Sequence, residues 1–297
     1  MDTHSFFASD FDATVTSETV SEQLHPRIDS RALAAQMRCQ ALRMVARANA
    51  SHIGSALSIT DIVAVLYSAV LNVDPANPDD PRRDRFLLSK GHACVAVYAA
   101  LAETGFFPRE TLETYGSDGS PLMAHISHHV AGVEFSTGAL GHALPFGVGK
   151  ALAAQRTRQD WRTIVLLSDG ECGEGSNWEA FMFAAHHKLD RLTAIIDYNK
   201  LQSLGSVADT LGLEPLADKL TAFGWAVREV DGHDHEALAA NLRPAMWHPG
   251  KPQMLIAHTT KGKGVPFMEN KVEWHYKSPN AEQLVEALAA IEGASHA

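Results

Sequence analysis

The 297-residue sequence predicts an α/β fold, a parallel sheet flanked by helices on both faces. Three observations predict it. Short apolar runs such as 163–167 and 192–196 alternate with longer Ala- and Leu-rich segments, a pattern that builds parallel sheets covered on both sides. Polar and turn-forming residues follow each run at once, Ser168-Asp169-Gly170 after the first and Asp197-Tyr198-Asn199 after the second. Asp169 and Asn199 lie thirty residues apart, the length of a strand–helix–strand unit. That spacing puts both side chains at the carboxyl ends of neighbouring parallel strands, where open α/β sheets bind ligands.

The elements follow in order. Residues 1–28 are polar and unpatterned, an N-terminal extension expected to be loose or to lie on a partner; 29–297 are expected to form a single domain. Helical spacing covers 30–48, with Ser30 as its cap. A second helix is expected from a cap at Ser58 or Thr60 to Leu71. Residues 72–85, rich in Pro, Asp and Arg, mark a loop. A short strand at 86–89 and a helix at 92–104 come next. Residues 105–137 hold too many turn formers and histidines for regular structure, and an ordered loop of that length is usually functional. A helix is expected at 141–156, then the strand–helix–strand unit at 163–199. A strand at 226–230, a helix at 235–242, a strand at 253–258 and a helix at 282–291 complete the chain. No repeat or interdomain linker is visible.

Composition narrows the function. A hydrophobic share of 45% and a charged share of 20% suit a protein with a full core. The net charge of −10 argues against a nucleic-acid or anionic-membrane partner. No stretch of about 18 residues is free of charge, so no membrane span is expected. The N-terminus lacks a basic segment ahead of an apolar one, so no secretory signal is expected. Cys39, Cys94 and Cys172, an odd and sparse set, suggest a reducing compartment, and a cytoplasmic location is expected. Cys172 lies in the Asp169 loop, either as a reactive thiol or as a small residue in a tight turn.

The carboxylate of Asp169 and the amide oxygen of Asn199 are hard ligands suited to Mg²⁺. Gly170 and Gly173 would let the backbone approach a phosphate at the start of the next helix. Further pieces stand at predicted element ends: Ser51-His52-Ile53-Gly54, Ser89-Lys90-Gly91-His92, His125, Gly138-Ala139-Leu140-Gly141-His142, Thr260-Lys261-Gly262-Lys263-Gly264 and Trp274-His275. Singly each has a bland explanation. A loop histidine is usually a structural hydrogen-bonder, and the Lys261/Lys263 pair alone suits a solvated loop. Together, histidines bordered by glycines fit a cleft for an oxygen-rich, anionic ligand, because imidazoles shuttle protons and bond hydroxyls near neutral pH.

These motifs, with Leu88-Ser89-Lys90-Gly91-His92-Ala93 and Gly132-Val133-Glu134-Phe135-Ser136-Thr137-Gly138, occur in the order and approximate spacing of the N-terminal half of transketolase. The chain resembles that half, a thiamine diphosphate-binding fold, from about residue 30 to 280. The resemblance implies thiamine diphosphate and Mg²⁺ as cofactors, with Ca²⁺ or Mn²⁺ able to substitute. Asp169, Asn199 and the Leu201 carbonyl would hold the metal. The cofactor-binding set would be His92, Gly138, Ala139, Leu140, Asp169, Gly170, Glu171, Asn199 and His275. His92, the Gly170 amide and His275 would take the diphosphate, and the Gly138–Leu140 backbone the aminopyrimidine. His52, His125 and His275 would be catalytic, bonding donor-sugar hydroxyls and moving protons. Glu174 and Glu179 fall where the family has interface acids, and solvated charges on a helix are an equal alternative.

Three departures stand out. Ser168 replaces the usual first glycine of Gly-Asp-Gly. Ala124-His125-Ile126-Ser127-His128-His129 replaces the usual Gly-His-Pro, so His128 or His129 could take the place of His125. His142 stands where glutamine is common. The family's pyrimidine-binding half, with the glutamate that bonds the aminopyrimidine ring, is not in this sequence. The expectation is therefore a split transketolase whose C-terminal subunit is a separate chain, two such pairs forming a heterotetramer. It would move a two-carbon ketol unit between sugar phosphates. The alternatives are a subunit of another thiamine enzyme, deoxyxylulose-phosphate synthase-like or 2-oxo-acid dehydrogenase-like, and a non-catalytic scaffold.

Overall fold

In the computed structural model, which describes residues 28–243 and 245–295, five strands form one parallel sheet in the order β1-β2-β3-β5-β4. They are β1 (Arg85–Leu88), β2 (Thr163–Ser168), β3 (Leu192–Tyr198), β4 (Ala226–Asp231) and β5 (Gln253–His258). The extension expected over 1–28 lies, except for Ile28, outside the described residues. Side chains alternate across each strand, so one strand feeds two cores. Phe86, Leu88, Ile164, Leu166, Ile195, Leu255 and Ala257 face one core. Leu87, Val165, Leu167, Ala194, Ile196, Met254 and Ile256 face the other.

The first core is closed by α1 (Ser30–Ala48), α2 (Ile53–Val65), α3 (Cys94–Glu103), α8 (His235–Leu242) and α9 (Ala281–Ser295). The second is closed by α4 (Ala143–Thr157), α5 (Gly175–His186), the short α6 (Val207–Thr210) and α7 (Leu216–Ala222). Every residue of α2 is buried. With the π-helical Leu66–Val70 that continues it, this stretch is long and apolar enough to cross a membrane, but 78% of it is buried inside the protein and Asp61 interrupts it with an ion pair to Arg38.

Several boundaries differ from expectation for local reasons. Asp29, not Ser30, caps α1 through the Arg31 amide. The second helix starts at Ile53, ahead of Ser58 and Thr60, whose hydroxyls bond back to the Ser55 and Ala56 carbonyls as mid-helix residues do. The strand expected at 86–89 runs one residue earlier. Residues 91–93 form a 3₁₀ turn before α3. Residues 105–137 hold only a 3₁₀ segment, Arg109–Thr114.

At the amino ends of β1 and β2, Arg162 and Asp84 form a buried pair with nitrogen–oxygen distances of 2.7 and 3.0 Å. The guanidinium also donates to the carbonyls of Val70, Leu242 and Arg243, closing the end of the sheet opposite the loops that follow the strands. Removing one member of such a pair strands a buried charge. Arg162→Met is expected to lower unfolding stability by about 3–5 kcal/mol in urea titration. A loss below about 1 kcal/mol would show the pair to be as cheap as a surface bridge.

Candidate active site

The loops leaving the carboxyl ends of β1, β2, β3 and β5 converge with the α1–α2 turn. Ser168 pairs with Asp197 across β2 and β3, so Asp169 and Asn199 leave neighbouring strands at the same level. Asp169 is buried; its carboxylate accepts from the Gly170 amide at 2.7 Å and the Lys200 amide at 2.6 Å. Burial, and then the nearby Asp197 carboxylate, push the Asp169 carboxyl up to about 7. A carboxyl held in that state is receptive to a cation.

Asp197 is the buried anchor of the site. It accepts from Lys90 Nζ at 2.5 Å, Ser58 Oγ at 2.7 Å, Asn199 Nδ2 at 2.9 Å and Thr259 Oγ1. Burial opposes its charge, yet the Lys90 ammonium and these donors hold it below the ordinary carboxylate value. The bond from Nδ2 to Asp197 fixes the Asn199 amide, and its Oδ1 accepts from the Leu201 amide at 3.1 Å.

Beside these groups stand four imidazoles. The His52 ring centroid lies 4.9 Å from that of His92, 5.9 Å from His125 and 5.1 Å from His275. His52 has a left-handed backbone with φ of 74°, and its amide donates to the His275 carbonyl at 2.8 Å. A strained non-glycine residue held in this way is a mark of functional sites. Burial, then the neighbouring His125, Lys261 and Lys90, lower the His52 imidazole to about 4. Burial, then Lys261, His52 and Lys90, lower His275 to about 3. His92 is pushed well below the ordinary value by burial and then by Lys90. The His52, His92 and His275 rings are therefore neutral at pH 7, each with one donor and one acceptor nitrogen.

His125 is carried by the long loop, which is tied down by many bonds. Thr137 Oγ1 donates to the Leu88 carbonyl at 2.6 Å, the Ile126 amide to the Gly91 carbonyl at 3.0 Å, and Tyr98 Oη to the His125 carbonyl at 3.1 Å. Gly91 is required there, since a Cβ would meet the Thr137 carbonyl oxygen at 2.3 Å.

Most expected residues thus come together: His52, His92, His125, His275, Asp169, Asn199 and Leu201. Gly138 packs against the His125 ring, and Gly170 against Gln202. Ala139 and Leu140 lie on the outer part of their loop, Ala139 exposed. Glu171 differs. Its carboxylate is fully buried and turned away from the cleft, accepting from Ser89, the Gly141 amide and the Ser168 amide. Gly173 has no close neighbour that demands glycine. His128 and His129 stay outside the cluster, their rings tilted against each other with centroids 4.2 Å apart, and His128 Nδ1 lies 2.7 Å from Ser136 Oγ. His142 is exposed. Cys172 is buried, its thiol pushed up by burial, so it is the inert turn residue rather than a reactive thiol. Glu174 and Glu179 are exposed on this chain.

Lys261, expected in a solvated loop, is instead 1% exposed. Its Nζ lies 3.3 Å from the Leu201 carbonyl, 3.2 Å from the Gln202 carbonyl and 3.0 Å from His275 Nδ1. Burial, then Lys90, lower it to about 8. Its only sequence signal is its place after a predicted strand, just ahead of the Gly262-Lys263-Gly264 turn. Lys90, 1% exposed and paired with Asp197, likewise stands in a motif that gives it no role by sequence alone.

The donor set fits a divalent cation with a diphosphate. A buried carboxyl raised by a second carboxylate, an oriented amide oxygen and a backbone carbonyl are oxygen ligands of the right hardness. Two buried lysines and imidazoles able to donate stand next to them, as an anion requires.

Comparison with known proteins agrees with this geometry. Residues 29–294 match the family model described as transketolase, thiamine diphosphate binding domain. The chain is 44% identical over 250 residues to an apulose-4-phosphate transketolase subunit of Phocaeicola vulgatus, covering 84% of this chain and 89% of that protein. It is 39% identical over 274 residues to a 6-deoxy-6-sulfo-D-fructose transketolase subunit of Clostridium sp., covering 92% and 98%. It superposes on transketolase from Leishmania mexicana with a TM-score of 0.85 at 30% identity, covering 90% of this chain but 42% of that one. The chain thus spans less than half the length of that solved transketolase.

The depressed imidazoles give a pH signature. Between the ordinary value of 6.5 and about 4, the unfolded chain binds a proton at residue 52 that the folded chain does not. Stability therefore rises with pH across that window and is lost as pH falls through it. Asp169, raised from 3.8 to about 7, acts in the opposite sense, so the comparison is between variants. His52→Gln is expected to flatten the acid-side fall of the thermal midpoint; an unchanged slope in the variant would show that burial of this ring does not depress it.

Proposed function

The chain belongs to the transketolase family, as a thiamine diphosphate-binding subunit of a split enzyme, and from that premise we propose the following activity. It binds the cofactor together with Mg²⁺ and, joined to a separate subunit carrying the pyrimidine-binding domain, moves a two-carbon ketol unit from a ketose phosphate to an aldose phosphate. The observation that carries this reading is the meeting of His52, His92, His125 and His275 beside Asp169 and Asn199 at one end of the sheet.

Asp169, the Asn199 amide oxygen and the Leu201 carbonyl would hold the metal, with Ca²⁺ or Mn²⁺ able to replace Mg²⁺. His92, His275, Lys261 and the Gly170 amide would hold the diphosphate, and the Gly138–Leu140 backbone the aminopyrimidine. Bound thiamine diphosphate supplies the nucleophilic carbon and the electron sink for carbon–carbon cleavage. The chain's own residues bind the donor and move protons. His52, His125 and His275 can each bond sugar hydroxyls through their ring nitrogens. As the donor's C2–C3 bond breaks, the C3 hydroxyl must lose its proton, and an imidazole of this cluster would take it. An adjacent diphosphate anion would raise the imidazoles from their depressed values toward the range where a base works at neutral pH.

Two similar proteins are named as subunits of transketolases. These names support a partner subunit here, and a heterotetramer of two pairs is the proposed assembly. They also support a donor other than the common pentose phosphates. The His125 loop of this chain, Ala124-His125-Ile126-Ser127, departs from Gly-His-Pro at the residues that flank a catalytic imidazole. A cytoplasmic location is part of the same proposal.

The test is ketol transfer to ribose 5-phosphate by the chain alone and mixed with its candidate partner, with thiamine diphosphate and Mg²⁺. Xylulose 5-phosphate, apulose 4-phosphate and 6-deoxy-6-sulfofructose are the donors. Activity is expected in the mixture alone. Asp169→Ala is expected to reduce it by about 100-fold or more, several kcal/mol of charge stabilisation, and to abolish Mg²⁺-dependent cofactor binding. Full activity of the single chain, or decarboxylation of pyruvate in place of ketol transfer, would overturn the reading.

A further inference from the structure

Glu171 is fully buried, and the donors to its carboxylate are Ser89, Gly141 and Ser168 rather than the imidazoles of the cleft. Its carboxylate instead joins three loops. One oxygen accepts from the Gly141 amide at 2.8 Å and from the Ser89 hydroxyl. The other accepts from the Ser168 amide at 3.3 Å. Ser89 precedes His92, Ser168 precedes Asp169, and Gly141 ends the Gly138–Leu140 segment. The segment after Glu171 grips the same residue through its other backbone group, since Ser176 Oγ donates to the Gly141 carbonyl at 2.7 Å. Gly141 takes a left-handed φ of 82°, and a Cβ there would strike Ser176 Oγ at 2.6 Å, so the loop sits directly on this segment. Glu171 is in turn fixed: Asn177 Nδ2 donates to its carbonyl at 2.8 Å.

A buried carboxylate facing three donors is an acceptor only, with no donor of its own to strand. A neutral amide of the same shape would turn its NH₂ group toward one of the two backbone N–H donors, so acceptor oxygens on both sides are matched to the place. Such a group controls the relative placement of its loops rather than binding a ligand.

We propose that Glu171 is a positioning residue, holding the Gly138–Leu140 backbone in register with Asp169 and His92 so that both ends of one cofactor molecule can be gripped at once. This rests on the cofactor reading above. It follows that losing Glu171 should harm a ligand that spans both loops much more than one that touches the Asp169 side alone.

The experiment uses the complex of this chain with its partner subunit. Calorimetric affinities for thiamine diphosphate and for inorganic diphosphate, each with Mg²⁺, are compared for wild type, Glu171→Gln and Ser89→Ala. Glu171→Gln is expected to weaken thiamine diphosphate at least about 10-fold and inorganic diphosphate less than about 3-fold. Ser89→Ala, which removes one donor and leaves both backbone bonds, is expected to shift the same ratio in the same direction by a smaller factor. Equal weakening of both ligands, or of neither, would overturn the assignment. If Glu171→Gln does not fold, Ser89→Ala decides on the same ratio. Failure of the wild-type complex to bind thiamine diphosphate would overturn the cofactor reading itself and the assignment with it.

Discussion

The Lys90–Asp197 pair is the constraint on which the site depends. Both side chains are withdrawn from water, Asp197 at 0% and Lys90 at 1% exposure. A buried ion pair of this kind is held only where its remaining hydrogen-bonding capacity is met. Here it is met by Ser58 from α2, Thr259 from the loop after β5 and Asn199 from the loop after β3. Lys90 itself comes from the loop after β1. Elements distant in sequence are therefore brought to one point by one carboxylate. Loss of either charge would leave the other unpaired in the core, so the arrangement is all-or-none. The orientation of the Asn199 amide is a consequence of it.

A second constraint is the balance of charge at the carboxyl ends of the strands. Burial first, and then the nearby Asp197, raise Asp169, while burial and then the neighbouring charges of Lys261 and Lys90 lower His52 and His275. In the bare protein neither set is comfortable. A divalent cation near Asp169 and an anion near the lysines and imidazoles would relieve both together, which is the charge pattern of a metal diphosphate. Preorganised, partly desolvated groups of this sort cost stability and are repaid on binding.

Much of this is legible in the sequence because it is local. The β2–α5–β3 unit can be read from two apolar runs and the polar residues that end them, and parallel pairing then places Asp169 beside Asn199 without further information. His92 and His275 can be read because each stands at an element end beside glycine or tryptophan, and His52 because it follows the first helix two residues ahead of Gly54. What is not legible depends on burial and partners far along the chain. Lys261 has the sequence context of a solvated turn; only packing against Gly54 and the Leu201 loop removes it from water. Glu171 follows Asp169-Gly170 and reads as a ligand-side residue, but the 3₁₀ turn at 170–173 directs it inward. Ser58 and Thr60 read wrongly as caps because a hydroxyl that caps and one that bonds back to its own helix have the same sequence signature.

The exposure pattern of the site bears on how the cleft is completed. His52 and His275 are only partly buried, and His125 and Ala139 are exposed. Hydrogen bonds to sugar hydroxyls lose most of their net value when water competes freely, and proton transfer by imidazole is best controlled where water is excluded. The floor of the cleft is rigid and dry, built on buried strands and the Lys90–Asp197 pair. Its roof is absent from this chain's described residues. In the proposed assembly the partner subunit would supply that roof, so that the imidazoles meet the donor sugar out of water. In that assembly this chain would hold the charged end of the cofactor with strand-end residues, and the complex would supply the closed surface on which the rest of catalysis depends.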